Sequence, residues 1–122
     1  MLRTETVERG TFELLKTLMQ DIAAMKLTAI SQSGNRLKDF VDIAFLSTKM
    51  SLTEMLNAFE IKYPKTNKMS AVKGLNYFDD IDFSAEIELK TKGIYKWEET
   101  AKRINEMIKF PNKIFATYPE GR

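Results

Sequence analysis

The stretch DIAAMKLTAISQSGNRLKDFVDIAFL, residues 21–46, decides how this chain folds. It is largely apolar, yet Lys26, Asp39 and Asp42 sit inside its apolar runs. Taking a charge out of water without a partner costs several kcal/mol or more (on the order of the effective penalty per buried ion). These three residues therefore pair with one another or face something outside the chain.

Local geometry favours pairing. Asp21 is suited to N-cap a helix ending near Gln32. On that helix Ile22, Lys26 and Ile30 fall at i, i+4 and i+8, one stripe of the surface. Ala23, Ala24, Met25, Leu27 and Ala29 make the helix apolar nearly all round, which predicts burial on most sides. Ser33-Gly34-Asn35 ends it, with Gly34 or Asn35 suited to the left-handed C-cap position. A second helix is expected from about Arg36 to Thr48, with Asp39 and Asp42 as neighbours on one face. A short antiparallel connection brings Lys26 towards one of these acids.

Working outward, Thr11 to Leu18 fits either a short strand or the approach to the first helix, and periodicity does not separate the two. Ser51-Leu52-Thr53-Glu54 is a capping box opening a helix to about Lys62, with Leu52, Met55, Leu56 and Phe59 as its apolar stripe. Pro64 ends it. Asn67 is placed to cap a short helix through about Leu75. Residues 78–84 read as an acidic turn and residues 87–89 as a brief extended stretch. An amphipathic helix from Trp97 to Phe110 carries Trp97, Ala101, Ile104, Met107 and Ile108, and Pro111 stops it before a C-terminal tail. The expected fold is a mainly α, compact helical domain spanning residues 1–122, with at most one short strand or extended segment at its N-terminus.

Composition bounds the function. At 122 residues and 43% hydrophobic content, one ordinary core can be buried. No apolar run approaches the ~20 residues of a membrane span, and the N-terminus has no signal-peptide core. The absence of cysteine removes disulfides and thiolate metal sites and suits a reducing cytoplasm. The absence of histidine removes the commonest neutral-pH acid/base and zinc ligand. A net charge of +2 is too small to argue nucleic-acid binding.

The pattern DIAAMKLxAI…KDFxDxxFL resembles the C-terminal motifs of the AbiEii/AbiGii toxin family of nucleotidyltransferases, from abortive-infection and toxin–antitoxin systems, and Tyr77-Phe78-Asp79-Asp80 resembles a further feature of that region. The resemblance runs from about Thr11 to the helix at Trp97 and is specific at residues 21–46. It implies a helical C-terminal domain following an α/β nucleotidyltransferase domain, with residues 1–18 as a remnant of that domain's sheet. It also implies Mg²⁺, a nucleoside triphosphate and, in some members, tRNA as substrate. Carried over by residue, it marks Lys26, Asp39 and Asp42 as catalytic, and Lys26 with Arg36 as nucleotide-binding. Ser33 stands where many relatives carry arginine, and Arg36 is a shifted substitute. The family's Gly-Ser…Asp-x-Asp metal signature has no counterpart. Ser33-Gly34 is reversed, and Asp80-Ile81-Asp82 lies on the wrong side of the match. The expectation is a C-terminal half, natural or truncated, with no metal site and no cofactor of its own, and not catalytic alone.

Each feature also has a plainer reading. Lys26 can snorkel from a core helix. Asp39 can serve the N-terminal end of its helix dipole. Asp42 can pair with Lys38 or with Lys26. Asp79, Asp80 and Asp82 fit a solvated turn as well as a cation cluster. Lys62, Lys65, Lys68 and Lys73, with Tyr63 among them, fit a solvated face as well as a phosphate-tracking one. The alternative to an enzyme portion is a binding module for nucleic acid, an antitoxin or a separate catalytic half. Finally, Ile22, Met25, Leu27 and Ile30 cannot all face one core. A homodimer or a partner complex is expected at the first helix and the segment before it, which could pair with another copy as a strand.

Overall fold

A computed structural model describes residues 3–85 and 96–119, with the backbone alone for residues 3–9 and 85. Among the described residues are five α-helices: α1 (Arg3–Gln32), α2 (Leu37–Leu46), α3 (Leu52–Lys62), α4 (Lys68–Leu75) and α5 (Trp97–Lys109). A 3-10 turn lies at Phe83–Ala85. The extended stretch expected at 87–89 lies outside the described residues.

The mainly helical architecture is as expected, but the N-terminal strand is not there. Residues 3–20 continue α1 as helix. Asp21 consequently lies mid-helix, exposed, rather than at an N-cap. The physical reason is the lack of any stop signal after Gly10. Leu14, Leu15, Lys16, Leu18, Met19 and Gln20 are all good helix formers, and nothing in that segment ends a helix. The implied sheet remnant at 1–18 is likewise helix wherever it is described, and a helix cannot pair as a strand with another copy.

The other boundaries follow local chemistry. Gly34, at φ +60°, closes α1, and the Ser33 and Gly34 amides both donate to the Ala29 carbonyl. At α3, Ser51 Oγ accepts from the Glu54 amide while Glu54 Oε1 accepts from the Ser51 amide, a complete capping box. Asn67 Oδ1 accepts from the Met69 amide at the start of α4.

α1 is the hub, with α2, α3 and α4 packed on it and α5 packed on α2. Its buried face is Ala23, Ala24, Leu27 and Ile30. These meet Leu37, Phe40 and Ile43 of α2, Met55 and Phe59 of α3, and Ala71 and Leu75 of α4 in one cluster. Gly74 permits the tightest approach, since a Cβ there would lie 2.9 Å from both the carbonyl oxygen and Cγ2 of Ile30. Phe40, Phe78, Phe83 and Trp97 form an edge-to-face aromatic group joining α2, the acidic turn and α5. The expected apolar stripe of α5 faces the core, with Thr100 and Arg103 buried beside it. Thr100, Arg103, Ile104 and Met107 are buried, while Trp97, Ala101 and Ile108 are half-buried.

Candidate functional site

Lys26 and the two aspartates come together. Gly34 turns the chain so that α2 runs back along α1, and Asp39, in the first turn of α2, faces the middle of α1. Lys26 Nζ lies 3.2 Å from Asp39 Oδ1 and 3.0 Å from Asp42 Oδ2, so one ammonium bridges both acids. The two acids are unequal: the Asp39 side chain is 3% exposed and that of Asp42 49%, with Lys26 between them at 24%. Asp39 thus holds the ammonium from the interior and Asp42 from the solvent side. Burial pulls the Lys26 pKa down, but hydrogen bonds and charge from Asp42 and Asp39 outweigh it and leave it raised above 10.5.

Asp42 also opens onto a cavity of about 440 Å³ lined by Met19, Ile22, Phe45, Leu46, Lys49 and Tyr118. Arg36 is elsewhere, in a polar recess with Asn35, Leu37, Lys38, Asp82 and Ser84 at the start of α2. Its backbone forms a parallel bridge with Asp82, whose amide donates to the Asn35 carbonyl. The recess is lined by neither Lys26 nor the two acids. In the acidic turn, Asp82 Oδ1 accepts from the Ser84 amide, and that backbone hydrogen bond, with a further one to Ser84, lowers its pKa. Asp79 and Asp80 are exposed. Two of the four lysines of the basic stretch are engaged in surface pairs, Lys62 with Asp21 at 3.9 Å and Lys68 with Glu60 at 3.6 Å.

One polar group was invisible to sequence reasoning. Arg103 is buried on α5, donates to Ser47 Oγ at 2.9 Å and stacks over the Phe115 ring at 4.5 Å. The Phe115 amide donates to the Ser47 carbonyl, so Arg103 and Ser47 clamp the C-terminal tail onto the end of α2. Burial pushes the Arg103 pKa down, against the raising effect of Glu106 and Glu99. Its spacing of three residues from Thr100 and four from Met107 was the available signal.

Comparison with family models, curated proteins and solved structures gave no match. No helix among the described residues is long and apolar enough to cross a membrane.

Proposed function

We propose that this chain is the helical portion of a nucleotidyltransferase-toxin-like protein, and that Lys26 is the ammonium offered to a nucleotide's phosphates. The supporting observation is the unequal pair of acids around it. Asp39, buried, fixes the ammonium in position at no cost in exposure, while Asp42, half exposed, is the partner an anionic ligand can displace. A positioned ammonium in a partly dry setting is what stabilises charge on transferring phosphoryl groups. Asp39 acts here as a positioning residue, and Lys26 as the group that touches the ligand.

The residues fit a phosphate better than they fit a divalent cation. Both acids face an ammonium that repels a second cation, and no three acidic side chains among the described residues converge to hold a metal. Mg²⁺ supplies charge neutralisation and nucleophile activation in the complete enzymes that the motif resembles. The chain's own contribution is to orient and bind. The Lys62–Lys73 stretch gives weaker grounds for a nucleic-acid module, because two of its four lysines are already paired.

The test is chemical-shift mapping of the labelled chain during titration with ribonucleoside triphosphates and Mg²⁺. The reading expects perturbation centred on Lys26, Asp42 and the facing turns of α1 and α2, absent in a Lys26→Met variant. Perturbation confined to residues 62–73, or none at millimolar nucleotide and low salt, removes it.

A further inference from the structure

The exposed apolar residues of α1 follow a second pattern, independent of the Lys26 site. Leu15, Leu18, Ile22 and Met25 recur at alternating steps of three and four residues and are 52%, 47%, 44% and 53% exposed. Thr11 and Ala29 occupy the next positions of the same series. At 3.6 residues per turn this seam lies roughly opposite the face built from Ala23, Ala24, Leu27 and Ile30. One face of α1 therefore carries the bundle, and the other carries a heptad seam about 27 Å long. Leu14, 59% exposed, flanks it. Contiguous apolar surface of this kind is rare on a soluble monomer.

We infer that the seam is the contact between two copies of this chain, packed as an antiparallel pair of α1 helices centred on Gln20. The sequence of the seam is its own complement about that point. Leu18 meets Ile22 of the second copy, Leu15 meets Met25, and Thr11 meets Ala29, so each large side chain faces a large one and each small one a small one. A symmetric dimer requires this self-complementarity, which an unrelated partner does not. The antiparallel sense follows from where the bundle sits. Helices α2 to α4 cover α1 from its middle onwards, and residues 11–18 are exposed on every side. Running the helices antiparallel lays each bare half against the bundle-bearing half of the other copy. There, the cavity lined by Phe45, Leu46 and Tyr118 opens beside Met19 and Ile22. A parallel pair would leave the bare halves covering only each other. The arrangement brings Asp21 near its own symmetry mate, a repulsion that Lys62, 3.9 Å from Asp21 in each chain, offsets.

Sedimentation velocity of the full chain over a concentration series tests the contact. The expected result is a monomer–dimer equilibrium that Leu18→Glu shifts to monomer and Glu13→Lys, off the seam, does not. Leu18 is solvent-exposed in the monomer, so helicity and Trp97 emission should be unchanged in the variant. The chain has no cysteine, so introduced thiols report orientation directly. Oxidising a mixture of the Leu15→Cys and Met25→Cys proteins should give the mixed disulfide in excess of either symmetric one. A strict monomer at the highest concentration, a dimer indifferent to Leu18→Glu, or a preference for symmetric disulfides overturns the inference.

Discussion

Replacing Lys26 with methionine keeps the aliphatic stem and removes only the ammonium, so it isolates what the bridge contributes. The loss falls almost wholly on Asp39. Asp42 is half exposed and regains water, a change worth about 0–1 kcal/mol. Asp39, 3% exposed, is left as a buried carboxylate without its counter-ion, and breaking a buried pair costs about 3–5 kcal/mol. Two effects reduce that figure. The site is a quarter open at Lys26, and Asp39 in the first turn of α2 keeps the favourable end of the helix dipole, worth up to about 1 kcal/mol. The expected destabilisation is therefore about 2–3 kcal/mol, or a fall in Tm of roughly 10 °C for a domain of this size. Urea unfolding followed by Trp97 emission measures it, since the single tryptophan packs edge-on against Phe40, Phe78 and Phe83. Lys26→Met combined with Asp39→Leu should return to within about 1 kcal/mol of the parent, because an apolar pair of similar volume replaces a buried ion pair nearly neutrally. A Lys26→Met protein within about 0.5 kcal/mol of the parent, or a double variant no better than the single, refutes the reasoning.

The raised pKa of Lys26 sets a pH window. Its folded value lies above the unfolded value near 10.5, so the bridge's contribution is complete below that pH and is lost as pH rises through the folded value. The stability difference between the parent and Lys26→Met should therefore be flat from neutral pH to about 10 and shrink above it, and a difference that grows there is the contrary outcome. Arg103→Met should loosen the tail and cost about 2 kcal/mol from the lost charged hydrogen bond and ring contact, read by unfolding and by faster proteolysis after Pro111. Gly74→Ala should cost about 1–3 kcal/mol by forcing a methyl against the Ile30 backbone, and a neutral result means α4 does not approach α1 as described. The chain alone, with Mg²⁺ and labelled nucleoside triphosphates, should incorporate no label into tRNA. Incorporation that disappears in a Lys26→Ala variant would count against the proposed division of labour.

Where the sequence was legible, short-range chemistry made it so. Ser51 with Glu54, Asn67, and Gly34 each act within one turn, and each boundary lies within a residue or two of its signal. The pairing of Lys26 was legible because a charge on an apolar helix has few alternatives. That one ammonium bridges both acids, one buried and one open, depends on the distance between two packed helices and was not. The start of α1 was missed because Asp21 suits an N-cap as well as an exposed helical position, and Thr11 to Leu18 has no period that excludes either state. The helical outcome replaced an expected strand edge with a helical seam. Arg103 was missed because its partners, Ser47 and Phe115, are distant in sequence or beyond the helix, and a long cationic side chain on an amphipathic helix reads as surface. Arg36 lines a recess at the start of α2 whose lining does not include Lys26, a placement that depends on how α2 packs and that local sequence does not encode.

In the proposed role, Asp39 holds the Lys26 ammonium while a phosphate displaces Asp42 from it. The dissociation constant of a nucleoside triphosphate for the parent chain, Lys26→Met and Asp42→Asn tests this most directly. Lys26→Met should weaken binding tenfold or more, which at ~1.4 kcal/mol per factor of ten is a single lost charged contact. Asp42→Asn should bind more tightly, because it removes both the competing ligand of the ammonium and a negative charge. Equal affinities across the three proteins, or weaker binding to Asp42→Asn, would contradict that role.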